Sequence, residues 1–163
     1  PVSPGTGDRP YLAGFRELVP SLIRAYKPEF VIAQCGADSH AGDMLAHLQL
    51  TTQTYEEIVD TLHKLAHEVA SGRMIALGGG GYNPGSVARC WTLVAALLGE
   101  VNPTNDVPNK WKSDFRRSTS MTAPDTLRSE PTREYDPERG ADQMRKNLEE
   151  LKKRIPMLRS LKT

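Results

Sequence analysis

The sequence predicts an α/β fold, a parallel sheet with helices on both faces, of which this chain holds only part. Three observations predict it. Helical and extended apolar patterns alternate in the order helix, strand, helix, strand, helix. The extended runs at 30–33 and 74–77 are short and uniformly apolar, as in strands buried on both sides rather than half-exposed. Each run is followed by a polar or glycine-rich stretch, where an open sheet of this kind binds its ligands.

The elements follow in order. Apolar residues at 11, 12, 15, 18, 19, 22, 23 and 26 repeat with a helical period that Pro28 closes. Phe30-Val31-Ile32-Ala33 is the first strand. It ends at Gln34-Cys35-Gly36-Ala37-Asp38-Ser39-His40-Ala41-Gly42-Asp43, whose small and polar residues suit a site better than a core. Thr54-Tyr55-Glu56-Glu57 reads as a capping box opening a helix with Tyr55, Ile58, Val59, Leu62, Ala66 and Val69 on its apolar face. Ser71-Gly72 stop that helix, and Met74-Ile75-Ala76-Leu77 is the second strand. Gly78-Gly79-Gly80-Gly81-Tyr82 leaves it as a loop. Asn83 as N-cap and Pro84 at the first position then open a helix carrying Val87, Cys90, Trp91, Val94, Leu97 and Leu98.

Two strands leave both sheet edges bare, so further strands are expected from another segment or chain. Beyond Gly99 the sequence becomes charged and carries six prolines in 101–163, with isolated aromatics at Trp111, Phe115 and Tyr135. It reads as a surface-hugging tail. Residues 137–154 form a charged helix, with Asp136 as its cap, Glu149 and Glu150 facing Lys153 and Arg154, and Pro156 interrupting it. The division is therefore an α/β portion at 1–100 and a charged, Pro-containing tail with a terminal helix at 101–163.

Composition allows an ordinary domain: 163 residues, 38% hydrophobic and 25% charged. No run nears the roughly 20 apolar residues of a membrane span, and the start has no signal-peptide pattern, so a soluble, cytoplasmic protein is expected. Cys35 and Cys90 sit in apolar runs and read as buried free thiols. Residues 1–100 carry 7 Lys+Arg against 10 Asp+Glu, net −3, and residues 101–163 carry 14 against 10, net +4. A tail at +4 with dispersed signs is weak evidence for nucleic-acid binding. The opening at Pro1 suits a processed product, the second piece of a split protein or a fragment.

Both polar stretches lie beyond strand ends, so adjacent strands would aim Asp38 and Tyr82 at one crevice. On residue type alone Asp38 is either a metal-binding carboxylate or a loop cap, and Asp43 favours a turn or helix-start role. The glycine run matches neither phosphate-binding pattern and lacks a following Lys. It does permit close substrate approach and a mobile Tyr82 able to donate to an oxyanion, or a Tyr82 packed on the sheet end. His63 and His67 are spaced i, i+4 without the Glu of a zincin motif and read as an exposed or edge-of-core pair. His40 lies near Asp38, and His47 reads as packed or capping.

The stretch 34–43, the run Leu77 to Tyr82 and Val87-Ala88-Arg89-Cys90-Trp91-Thr92 resemble, in order and spacing, the histone deacetylase superfamily with its arginase/deacetylase-type sheet. Pro4-Gly5-Thr6-Gly7-Asp8, Asp38-Ser39-His40 and Leu45-Ala46-His47-Leu48 look most like the bacterial acetoin utilization deacetylases. The resemblance implies that Asp38 is the second aspartate ligand of a catalytic zinc and Tyr82 the tyrosine bonding the substrate carbonyl. It implies that Gly80 and Gly81 wall an acyl-lysine tunnel that Leu45 lines. It assigns His40 no role. A carboxylate-rich set of ligands also accepts ferrous iron.

The family's other ligands, an Asp-x-His motif, and its tandem His-His base have no counterpart in the chain. One carboxylate cannot hold catalytic zinc, so an N-terminal deacetylase segment or chain carrying them is the expected partner, and the isolated chain is expected to be inactive. Acetylated lysine is the substrate the resemblance implies, with acetylated polyamines and other acylamides open. Two other classes compete: a non-catalytic interaction or regulatory remnant of a deacetylase, and a small phosphate-binding α/β domain built on the glycine run.

Overall fold

The structure is a computed structural model describing residues 1–128, 136, 138–155 and 158. Among the described residues seven elements follow in chain order: α1 Asp8–Tyr26, β1 Val31–Gln34, α2 Thr52–Val69, β2 Met74–Leu77, α3 Pro84–Leu98, α4 Asn109–Thr119 and α5 Ala141–Arg154. The strands pair in parallel, Val31 opposite Met74 through Gln34 opposite Leu77. A parallel pair needs a crossover, and α2 supplies it.

α2 and α3 cover one face of the sheet. Ala33 and Cys35 meet Val59 of α2 and Val94 of α3, with Leu62, Met74, Ala76 and Trp91 packed around them. Val31 meets Ala66 and Ala70 at the other end. Val59, Leu65, Leu93 and Val94 are almost wholly buried, and each such side chain stabilises the fold by about 1.5–3 kcal/mol. The opposite face is apolar too, as a sheet with helices on both faces requires, but among the described residues it stands open. Ile32 is 66% exposed, and Ile75 and Leu77 are each 44% exposed. The strands here are therefore half-exposed, against the sequence expectation. The reason is the period of two: alternate side chains point to a face for which the described residues supply no second layer.

α1 lies beside α2. Asp8 in its first turn is buried, and its carboxylate accepts from Thr51 N at 2.8 Å, Thr51 Oγ1 at 2.9 Å and Thr54 Oγ1 at 2.5 Å. Arg16 to Glu57 and Arg24 to Glu68 join the same two helices further along. The capping box expected at Thr54 and Glu57 is consequently absent. α2 starts at Thr52 with Thr51 as its cap, because Thr54 is drawn to Asp8 and Glu57 to Arg16. Asn83 caps α3 as expected, its Oδ1 accepting from Gly85 N at 2.9 Å and Ser86 N at 3.0 Å.

The tail holds more structure than its composition suggests. Trp111 and Phe115 are not isolated aromatics. They stack at 4.9 Å, one turn apart on α4. α5 begins at Ala141 rather than 137, and the Asp136 carboxylate accepts instead from Glu138 N at 3.0 Å. The Glu150–Arg154 pair forms at 2.8 Å. α5 packs on α1, where Met144 lies over Gly14. The expectations for Tyr135 and Pro156 lie outside the described residues.

Candidate active site

Past the sheet the parallel ladder continues into the loops. Cys35 N donates to Leu77 O at 2.9 Å, and Ala37 N to Gly80 O at 2.6 Å. This draws residues 34–38 alongside the glycine run and sets the Asp38 carboxylate against Gly80. A Cβ on Gly80 would fall 2.5 Å from Asp38 Cγ, so only glycine lets the loops approach this closely. Gly81 has φ +145° and would strain any other residue.

Asp43 locks the arrangement. It is 8% exposed, and its Oδ2 accepts from Tyr82 N at 2.5 Å and Asn83 N at 3.0 Å, while Oδ1 accepts from Leu45 N at 3.0 Å. Burial pushes the Asp43 carboxyl up. The N–H groups of Tyr82, Leu45, Asn83 and Met44 outweigh it and hold the group below its ordinary value. Asn83 Nδ2 adds a bond to Gly42 O at 2.9 Å. The turn role expected for Asp43 is present. Its grip on the Tyr82 loop is what sequence reasoning missed, because the partners are backbone groups some forty positions away.

His40 is buried. Its Nδ1 accepts from Gly42 N at 2.9 Å and lies 3.0 Å from Ser86 Oγ, joining the loop to α3. Burial, reinforced by the Arg89 charge and opposed by Asp8 and Asp43, pulls its ring down to about 4, so it is neutral near pH 7. Asp38-Ser39-His40 has the letters of an Asp-x-His motif, a match the sequence reading passed over, but the Nδ1 of its histidine is already engaged. His47 is exposed, neither packed nor capping, and the backbone carbonyl is what it contributes, to Gly5 N at 2.6 Å. Both cysteines are buried free thiols, and burial pushes Cys90 up to about 12.

The Tyr82 side chain is 57% exposed rather than packed on the sheet end, and Leu45 is 55% exposed. Asp38 lines a cavity of about 400 Å3 shared with Tyr11, Cys35, Ser39 and Tyr55. Tyr82, Leu45, Gly80 and Gly81 do not line it, so the common crevice expected for Asp38 and Tyr82 is not closed by the described residues. Two strands make one wall of a crevice, and the described residues supply no opposing wall. Tyr55 borders the same cavity at 8% exposure. Its hydroxyl, beside Ser39, makes no hydrogen bond of good geometry.

The start of α3 offers nothing to a phosphate. Tyr82 and Asn83 N–H are spent on Asp43, and Gly85 and Ser86 N–H on the Asn83 side chain. Among the described residues no group of three His, Cys, Asp or Glu could hold a metal ion. Asp38 fits such an ion only as a single ligand.

Fold and site geometry define the class as part of an arginase/deacetylase-type α/β domain with its ligand end at the carboxyl ends of β1 and β2. Solved structures agree: the histone deacetylase Clr3, with TM-score 0.55 and 29% identity, covers 62% of this chain and 16% of its own. The HDA15 HD domain, with TM-score 0.54 and 33% identity, covers 60% and 26%. The family pattern described as Histone deacetylase domain matches residues 1–98, and the chain belongs to the histone deacetylase family. Acetoin utilization protein AcuC of Bacillus subtilis (strain 168) is 31% identical over 162 residues, 98% of this chain and 42% of the relative. AcuC of Staphylococcus xylosus is 33% identical over 126 residues, and histone deacetylase 1 of Homo sapiens 30% over 140. The chain spans 42%, 33% and 27% of the lengths of these three. Among its described residues no helix is long and apolar enough to cross a membrane.

Proposed function

We propose that this chain is the C-terminal part of a zinc-dependent deacetylase that releases acetate from acetyl-lysine or a similar acylamide. It acts with an N-terminal segment or partner chain that carries the remaining metal ligands and the His-His base. The observation that carries this reading is the junction of the two loops: Asp38 held against Gly80 while Asp43 grips the backbone of Tyr82 and leaves its ring exposed. Asp38 supplies one anionic oxygen ligand. Tyr82 donates its phenolic O–H to the oxygen that gains charge as the amide is attacked. Gly80 and Gly81 wall the acyl chain, and Leu45, exposed on the next loop, lines its path. The metal, zinc or ferrous iron, polarises the amide carbonyl when bound.

The bare sheet face and the share of the relatives' length that this chain spans support the missing segment. Two buried free thiols suit a reducing cytoplasm. Mixing the chain with a separately produced N-terminal deacetylase segment is expected to yield metal-dependent acetate release from acetyl-lysine peptides, while either piece alone is silent. Tyr82→Phe in that mixture lowers kcat by about 100-fold or more. Undiminished turnover by the Phe variant would remove Tyr82 from the chemistry.

A further inference from the structure

α2 carries two histidines one turn apart whose rings converge. His63 Nε2 and His67 Nε2 lie 3.1 Å apart, with ring centroids at 4.8 Å and planes tilted by 58°. The turn that ends α2 backs the second ring. A Cβ on Gly72 would fall 3.0 Å from His67 Cε1 and 3.1 Å from its Nδ1, so the ring sits close against this turn. Gly72 N in turn bonds Ala66 O at 2.9 Å. The Nε2 edge of His67 is thereby left facing His63. The flanking charges are already engaged, Lys64 with Asp60 at 2.7 Å and Glu68 with Arg24 at 2.7 Å.

Two imidazole nitrogens each about 2.0–2.1 Å from one ion and separated by this distance subtend an angle of about 95–100° there, within reach of tetrahedral or octahedral coordination. Imidazole suits zinc, nickel and copper. We propose that His63 and His67 form a two-imidazole surface site for a divalent transition-metal ion, with water in the remaining positions. In the free pair one Nε2–H faces the other Nε2. Coordination requires that ring's proton to move to its Nδ1, so both lone pairs reach the ion and no net proton is lost. A bound ion clamps the last turns of α2, which lead directly into β2, and stabilises the folded chain by mass action.

Calorimetric titration of the full chain with ZnCl2 and NiCl2, paired with thermal melts, tests this independently of the deacetylase reading. One ion should bind per pair and raise Tm. His63→Ala and His67→Ala, both surface changes whose fold is checked by far-UV circular dichroism, should each weaken binding by about tenfold or more. Asp38→Ala should bind as the unchanged chain does. Absence of binding to the unchanged chain, binding that survives both histidine variants, or binding lost in Asp38→Ala would each overturn the site.

Discussion

Asp43 shows at the residue scale how one carboxylate can hold a candidate site together. Asp43→Ala leaves the N–H groups of Tyr82, Asn83 and Leu45 without their acceptor and is expected to cost about 3 kcal/mol in denaturant unfolding. Its titration has a definite sign. The folded carboxyl lies below its ordinary value, so its contribution is fully present above roughly pH 4 and is lost as pH falls through the lowered value. Asp43→Asn should therefore lose less stability than the unchanged chain between neutral and strongly acidic pH. Equal acid limbs would place the titration elsewhere. Tyr55→Phe removes a buried hydroxyl with no well-formed bond and should leave the isolated chain's stability unchanged or raise it by up to about 1 kcal/mol. Asp38 and Tyr82 stood out as candidates in the sequence because each lies in the polar or glycine-rich loop that leaves a strand. Asp43 and His40 were not, because their importance lies in partners that only the fold brings near.

Among the elements, α1, α2, α3 and the two strands were legible because the apolar period marks each of them. The Asn83-Pro84 start of α3 is the clearest case, and β1 is displaced by a single residue from its expected span. Where the reading failed, tertiary contacts had overridden local signals. Thr54 left its capping box for Asp8, and α4 hid behind two aromatics whose i, i+4 spacing was the available clue. The tail helix α5 is held by side chains, with Leu148 8% exposed. Leu148→Ala should destabilise the chain by about 2–3 kcal/mol and speed proteolysis within α5, while amides of α2 and α3 keep their hydrogen-exchange protection. Uniform loss of protection would mean that α5 unfolds only with the core.

At the scale of the whole molecule, the sheet is the deciding feature. Both faces are apolar, one is covered by α2 and α3, and Ile32, Ile75 and Leu77 stand open on the other. Such a face should make the isolated chain self-associate, and Ile32→Lys with Ile75→Lys should return it to monomer in sedimentation while blocking assembly with an N-terminal segment. Monomeric behaviour of the unchanged chain would argue that the face is tolerated bare. The sequence already implied a shortage of strands, but it could not say which face lacked its cover. The most direct test of the central claim is metal content measured in the assembled two-piece complex with His63 and His67 both replaced by alanine, so that only the catalytic metal is counted, for Asp38→Ala and Tyr82→Phe side by side. Asp38→Ala should lose both the metal and acetate release, while Tyr82→Phe should keep the metal and lose turnover. Full metal in Asp38→Ala, or equal metal loss in both variants, would contradict the roles assigned to them.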